Sequence, residues 1–232
     1  RQFKHTTTFL LGSAEMEGVL SYERTRIALT LLAEVIVQAA FRLSQKWLTQ
    51  RYGKVLNSMD ESGQFAIIGL GKLGGRELTY HSDLDLIFIY SGEGTTSGPR
   101  VIGVQEYWVK LIQRLISCLS TITSSGYAYK LDARLRPSGN AGVLVTHLNQ
   151  YLKYHETSQP WEHQVLIKGR VIGGSGEVEW YQKVEEGIRS AVYDWIPPSD
   201  MNAQINYLRR RKELELSGEK DNRRNIKEGK GG

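Results

Sequence analysis

The chain has 232 residues and a formal net charge of +5, with 40% hydrophobic and 24% charged residues. This composition is ordinary for a folded protein and supports one substantial domain with a smaller flanking one. No apolar run approaches the roughly 20 residues of a membrane span, and the start of the chain lacks signal-peptide architecture. We therefore expect a cytoplasmic protein without a membrane partner.

The chain contains a single cysteine, Cys118. One cysteine excludes an internal disulfide, and its apolar neighbours predict a position in the core. The five histidines form no metal-binding spacing pattern, so zinc is not expected.

The hydrophobic pattern predicts elements in the following order along the chain. Helical spacing predicts one long helix or two consecutive helices over 18–50, ending near Tyr52-Gly53, followed by a polar connection over 54–63. We then expect strands at 65–69 and 84–90, a surface loop over 92–98, a helix over 104–121, strands at 127–136 and 143–145, helices over 148–155 and 161–172, a glycine break at 173–176, and a helical region over 177–217 interrupted at Pro197-Pro198.

This pattern suggests three segments. Residues 1–55 form an N-terminal helical segment, 56–175 a catalytic domain, and 176–232 a C-terminal helical segment. The missing initiator Met and the end at Gly231-Gly232 lead us to expect a fragment whose last segment begins a truncated helical domain.

The most informative motif is the glycine-rich run Gly69-Leu-Gly-Lys-Leu-Gly74 after the first strand. It matches the dinucleotide-binding fingerprint, but that fingerprint requires a crossover helix of about a dozen residues before the next strand. Only eight residues, 75–82, intervene here, and no Gly-Lys-Ser/Thr of a Walker A loop occurs. The run is better interpreted as one helical turn between antiparallel or mixed strands, whose N–H groups and Lys72 would bind phosphate.

Three carboxylates accompany this turn. Asp83 and Asp85 are two residues apart, so on a strand they share one face with Cα atoms roughly 6.5–7 Å apart. With Asp132 on a later strand, they form the donor set of a two-metal site for phosphoryl or nucleotidyl transfer, and Asp132 could also accept the attacking hydroxyl's proton. The alternative is that Asp132 merely pairs with Arg134 or Arg136 on its own strand face.

Several other residues are candidates for binding the phosphates of a nucleotide, although each cation alone is more often an ordinary surface residue. The predicted set is Gly71, Lys72, Gly74, Gly75, Ser82, Arg134, Arg136, Lys168 and Arg170. Lys168 and Arg170 are stronger candidates than the other cations, because they fall in an otherwise apolar predicted helix. Glu162 could orient Lys168 or a metal-bound water, or could be a solvated carboxylate at a helix start.

Three motifs in order carry a family resemblance: Gly69-x-Gly-Lys-x-Gly-Gly-x-Glu-Leu with Ser-Asp-Leu-Asp-Leu-Ile-Phe88, then Asp132-Ala-Arg-Leu-Arg-Pro-Ser-Gly139, then Trp161-Glu-His-Gln with Ile-Lys-x-Arg170. Over residues 20 to 232 the chain resembles the glutamine synthetase adenylyltransferase family. Members contain two related nucleotidyltransferase halves, one attaching AMP and the other removing it. Ala133, Ser138 and Thr123-Ser-Ser-Gly126 resemble the attaching half.

The resemblance implies an α+β fold, with a polymerase-β-like nucleotidyltransferase domain of small mixed sheet and helices flanked by helical segments. It implies that Asp83, Asp85 and Asp132 hold two Mg²⁺ ions, and that AMP passes from ATP to a tyrosine of glutamine synthetase with release of pyrophosphate. It also implies regulation by a PII signalling protein and glutamine through the full-length enzyme.

One departure is Asn225, which stands where the family has an acidic residue. Two alternatives stay open: phosphorolytic removal of AMP from the adenylylated synthetase, which would use the same carboxylates, and a non-catalytic fragment that binds nucleotide or docks a partner. Transfer to nucleic acid is not expected, because the basic run Arg209-Arg-Arg-Lys212 and the tail lack interleaved aromatic residues.

Overall fold

The computed structural model describes residues 1–56 and 63–216, so Asn225 lies outside the described residues. The helices and strands are α1 (Gln2–Met16), α2 (Tyr22–Tyr52), β1 (Val55–Leu56), β2 (Phe65–Gly69), α3 (Gly71–Gly74), β3 (Leu84–Tyr90), β4 (Thr95–Thr96), α4 (Val104–Ser120), β5 (Leu131–Asp132), β6 (Thr146–His147), α5 (Leu148–His155), α6 (Pro160–Leu166), β7 (Arg170–Ser175), α7 (Val178–Tyr193) and α8 (Met201–Leu216).

A mixed sheet in the order β5-β3-β2-β7 forms the centre, and β6 also pairs with β3. Strand β2 is antiparallel to β3 and to β7, whereas β5 and β6 run parallel to β3. Strands β1 and β4 form a separate two-stranded antiparallel sheet. These small sheets among helices are compatible with the predicted α+β class.

The central sheet is covered on both faces because its strands alternate two sets of apolar side chains. Leu84, Leu86 and Phe88 belong to a core shared with α2 and α4. In that core the ring of Phe65 lies 4.6 Å from the ring of Trp108 between centroids. The opposite face carries a second core, made by residues of β2, β3 and helices α5, α6 and α7: Ala66, Ile68, Ile87, Ile89, Tyr151, Leu166, Trp180, Val184 and Ile188.

Helix α2 is the longest element, at 31 residues. Ser21 caps its start by accepting a hydrogen bond from the Arg24 N–H at 3.4 Å. It ends at the predicted Gly53, whose φ of +77° is left-handed, and a Cβ there would lie 2.2 Å from the Gly98 nitrogen. Glycine therefore permits both the helix stop and the close approach of the loop after β4. Helix α1 lies within the helical segment expected over 1–55, although the hydrophobic pattern gave no bounds for it, and it contains no buried residue.

The prediction that no apolar run approaches the length of a membrane span is wrong for α2. Over the described residues, α2 is the one helix long and apolar enough to cross a membrane by length and composition. A buried core helix passes the same test. Leu29, Ala33, Val37 and Phe41 of α2 are buried in the first core.

Two predicted strands differ from the observed ones. The strand expected over 127–136 is reduced to β5, because the chain turns after Asp132, whose Oδ1 accepts the Arg134 N–H at 2.9 Å. Side chains beyond that turn no longer alternate across a strand. The strand expected at 143–145 lies instead at β6, where it pairs with the end of β3.

The helix expected over 161–172 is also wrong in its second half. Helix α6 ends at Leu166, and Arg170 begins β7, so Lys168 and Arg170 do not lie in a helix. The predicted glycine break is partly strand, because Gly173 and Gly174 pair with β2. A short apolar run suits either a strand or a buried helix, and here the open edge of β2 decides in favour of the strand.

Two smaller predictions are also corrected. Cys118 is exposed rather than in the core, because it lies near the end of α4 and lines an open groove with Leu43 and Trp47 of α2. The surface loop over 92–98 includes β4, which pairs with β1.

A chain of hydrogen bonds joins α5, α6 and α7. The Nδ1 of His163 lies 2.6 Å from the Ala191 carbonyl oxygen, which can only accept, so neutral His163 carries its proton there. The Ser158 hydroxyl then donates to His163 Nε2 at 2.9 Å and accepts from His155 Nδ1 at 3.0 Å. Among the described residues, the buried Nε2 of His155 has no partner.

Burial lowers the pKa of His155 to about 4, with a smaller contribution from His163. An unfolded histidine titrates near 6.5, so the unfolded chain binds the proton first as pH falls. We expect the free energy of unfolding to be little affected by His155 above pH 6.5. Between pH 7 and pH 5, protonation of His155 in the unfolded chain should lower the free energy of unfolding by about 2 kcal/mol. Urea unfolding of His155→Gln should show a correspondingly shallower loss of stability over this range, with the exposed His81→Gln as control. Equal slopes in all three proteins would contradict this assignment.

Candidate functional site

The glycine turn α3 connects antiparallel strands β2 and β3, as the sequence predicts. The Leu70 N–H donates to the Asp85 carbonyl oxygen at 2.9 Å. Gly71 has a φ of +51°, and a Cβ on it would lie 2.9 Å from Asp85 Oδ2. The missing side chain at Gly71 therefore lets the Asp85 carboxylate lie against the start of the turn.

Asp85 and Asp132 are brought together by strand pairing. The parallel register of β3 and β5 makes them direct partners, and neighbouring strands are about 4.8 Å apart, so both side chains lie on the same face. Asp83 immediately precedes β3 and is exposed. The structure thus places two of the predicted carboxylates side by side and the third at the entrance to the strand.

Asp132 forms the pair with Arg134 that the sequence left open. Arg134 Nε lies 2.9 Å from Oδ1 and 3.0 Å from Oδ2 of Asp132. This guanidinium lowers the pKa of the Asp132 carboxyl, with a smaller effect of Arg136. The pKa of Arg134 is raised in turn, chiefly by Asp132 and also by Asp85. The Asp132 carboxylate is therefore ionised at neutral pH, and Arg134 lies in the field of both Asp132 and Asp85.

The donor set is compatible in type with Mg²⁺, which prefers carboxylate oxygens. Asp85 and Asp132 on adjacent strands, with Asp83 nearby in sequence, would hold such an ion. In the arrangement observed, no three His, Cys, Asp or Glu side chains of the described residues converge to form a metal site. The Asp132 oxygens are engaged by Arg134 instead.

Glu77 gathers three cations beside the glycine turn and was missed by the sequence analysis as a site residue. Both of its carboxylate oxygens accept from Lys168 Nζ, at 2.8 and 2.7 Å, and Arg26 of α2 lies 3.6 Å away. Lys168 is the main cause of the lowered pKa of Glu77, and Arg26 and Lys72 contribute. Glu77 ends the Gly-Gly-Arg-Glu part of the glycine motif, and this position could have identified it as a site residue.

Arg170 holds the glycine turn from the strand side. Its Nε donates to the Gly74 carbonyl at 3.3 Å, and its guanidinium pairs with Glu34 of α2. A Cβ on Gly74 would lie 1.9 Å from the Lys168 carbonyl oxygen, and one on Gly75 would lie 2.9 Å from Lys168 Cδ. These two glycines therefore permit the approach of the chain entering β7.

Ser82 and Arg136, two further predicted phosphate ligands, have protein partners that close turns. Ser82 Oγ accepts the Thr79 N–H at 3.0 Å. Arg136 donates to the carbonyl oxygens of Ala133 at 2.6 Å and Gly142 at 3.3 Å. Both residues stabilise the loops that flank the carboxylates, and their contact with phosphate stays a prediction.

Glu162 accepts hydrogen bonds from the Tyr154 hydroxyl and from the Gln159 N–H, the latter at 2.9 Å. The same Tyr154 oxygen accepts the Ser138 N–H at 3.2 Å. Because Lys168 pairs with Glu77, Glu162 does not orient Lys168. It anchors the loop that follows Asp132, through a tyrosine that no sequence motif indicated.

We expect Arg170→Ala to lower the free energy of unfolding by about 2 kcal/mol, because it leaves Glu34 partly buried and unpaired. The Arg170 and Glu34 side chains are 23% and 17% exposed. Arg209 pairs with Glu213 on α8 at 62% exposure, so Arg209→Ala should cost no more than about 0.5 kcal/mol. Urea denaturation measures both. If Arg170→Ala leaves stability unchanged but weakens ATP binding, Arg170 is a phosphate ligand and does not hold the turn.

The model of the family described as glutamate-ammonia ligase adenylyltransferase (GlnE) matches residues 1–186, a range that includes the glycine turn, all three carboxylates, Glu77, Glu162 and Arg170. The resemblance drawn from the three motifs is thereby confirmed. Members of this family are nucleotidyltransferases that act on glutamine synthetase. The chain belongs to the glutamate-ammonia ligase adenylyltransferase family.

Proposed function

We propose that this chain transfers AMP from ATP to a tyrosine hydroxyl of glutamine synthetase in a Mg²⁺-dependent reaction that releases pyrophosphate. The observation that carries the proposal is the register pairing of Asp85 with Asp132 beside the glycine turn. Family membership supports adenylyl transfer to glutamine synthetase in general. The proposed direction, attachment of AMP, rests on the sequence motifs around Asp132 and Thr123.

The reaction is an in-line displacement at the α-phosphorus. The tyrosine oxygen forms the new bond to phosphorus, the bond to the oxygen bridging the α- and β-phosphorus atoms breaks, and pyrophosphate leaves. The tyrosine proton passes to a base, for which Asp132 is the candidate because it is ionised and lies beside Asp85. The backbone of α3 and Lys72 would orient the triphosphate at the turn.

Asp83, Asp85 and Asp132 are the residues that would hold Mg²⁺. When bound, the two ions would polarise the phosphoryl oxygens and neutralise charge that develops on the leaving group. Asp85 is positioned for this by the turn itself, because the Leu70 N–H and the open space at Gly71 set the place of its backbone and carboxylate.

The mixed sheet with helices on both faces is compatible with the polymerase-β-like nucleotidyltransferase arrangement that we propose for this chain. A cytoplasmic location and regulation by a PII protein and glutamine, acting through the full-length enzyme, belong to the same proposal. The regulation follows from the family resemblance of the motifs, and the location follows from the composition of the chain.

Asp85→Asn and Asp132→Asn should each lower adenylyl transfer by at least about 100-fold, because each removes a charge that a bound metal requires. The measurement uses α-labelled ATP, Mg²⁺ and unmodified glutamine synthetase, and follows label on the synthetase. Asp194→Asn is the matched control, since this exposed carboxylate lies after α7, outside the central sheet. Transfer at the unmodified rate by either site variant would refute the assignment.

The reverse direction has its own product. Adenylylated glutamine synthetase and inorganic phosphate should yield little ADP with this chain compared with the AMP that it attaches from ATP. Abundant ADP without attachment would show that the chain is the removing enzyme. Nucleotide binding without either product would favour the non-catalytic alternative.

A further inference from the structure

Arg134 differs from the nearby arginines Arg136 and Arg170 in how exposed its side chain is. Its side chain is 70% exposed, whereas the Asp132 side chain that it contacts is 22% exposed. Arg136 and Arg170 are partly buried and donate to backbone carbonyls of the surrounding loops. Arg134 can therefore leave its position without disturbing the fold, while its partner stays in place.

The contact involves both oxygens of Asp132, since Arg134 Nε lies 2.9 Å from one and 3.0 Å from the other. The backbone N–H of Arg134 also donates to Oδ1 at 2.9 Å. The guanidinium additionally lies close enough to Asp85 for that carboxylate to raise the pKa of Arg134. One positive charge thus interacts with both of the carboxylates that the strand register places together.

We propose that Arg134 is a tethered cation that competes with the metal ion for Asp132 and moves to the triphosphate when nucleotide binds. This inference rests on the proposed function and assigns Arg134 two successive partners at the same site. Without nucleotide, the guanidinium occupies the Asp132 oxygens and weakens metal binding. With nucleotide, phosphate oxygens attract the guanidinium and leave Asp132 and Asp85 to the metal.

The chemistry of arginine supports both partners. Its planar fork of donors matches a carboxylate and a phosphate equally well, and it stays charged at any relevant pH. A nucleotide brings several phosphate charges, so the guanidinium gains partners when it moves, while the carboxylates gain the metal. Nucleotide and metal then each strengthen the binding of the other, which is a positive coupling between the two ligands.

The proposal predicts two effects of opposite sign for Arg134→Ala. Without nucleotide, Mn²⁺ should bind the variant about three- to tenfold more tightly than the unmodified chain, because an exposed ion pair no longer competes. The KM for ATP in adenylyl transfer should rise about tenfold, because a phosphate contact is lost. General damage to the site would instead weaken the binding of both Mn²⁺ and ATP.

The paramagnetic resonance signal of free Mn²⁺ measures the first effect, and initial rates of transfer measure the second. Lys130→Ala is the matched control, because it removes one exposed positive charge from the same segment, next to the ring of Tyr127. It should leave Mn²⁺ affinity within about twofold. When Asp132→Asn is introduced into both proteins, Arg134→Ala should no longer change the affinity for Mn²⁺.

Unchanged or weaker Mn²⁺ binding by Arg134→Ala overturns the competition, and an unchanged KM for ATP overturns the move to the triphosphate. Neither result affects the proposed function as long as Asp85→Asn still abolishes transfer. If Asp85→Asn and Asp132→Asn alter neither Mn²⁺ binding nor transfer, the metal site itself is wrong and both proposals fail together.

Discussion

The close packing of the glycine turn against the entry to β7 is the constraint on which the rest of the site depends. A side chain at Gly74 would meet the Lys168 carbonyl oxygen at 1.9 Å, so the two segments approach as closely as backbones can. Arg170 fastens this contact through the Gly74 carbonyl and through Glu34 on α2. The turn is thereby fixed to the sheet and to the longest helix at once, and Asp85 takes its place against it.

Charge is distributed over the site according to burial. Partly buried cations are paired with carboxylates or carbonyl groups of the scaffold, as Arg170 is with Glu34 and Arg136 is with the loop after Asp132. A buried charge without partners would cost far more than the pair contributes. The more exposed Arg134 is held by Asp132, and exposed ion pairs exchange partners at low cost. This distribution separates cations that hold the fold from a cation suited to a ligand.

The local pattern was sufficient to predict β2, β3, α4 and α5, because each combines a clear period or a continuous apolar run with turn residues at its ends. It also predicted that the glycine run is a single helical turn, from the eight residues that follow it. It misplaced the segments near Asp132 and Arg170. There, the outcome depended on an edge of the sheet that accepted β7 and on the turn closed by the Asp132 carboxylate, neither of which is a property of local spacing.

The sequence by itself determined the chemistry that this chain brings together: a glycine turn, three carboxylates and several cations, in an order that identifies the family. Those facts follow from residue type and spacing along one chain. The tertiary structure alone decided the partners, because strand register placed Asp132 beside Asp85 and packing directed Lys168 to Glu77. Contacts between residues about fifty to ninety positions apart depend on how the elements pack, and no local pattern contains that information.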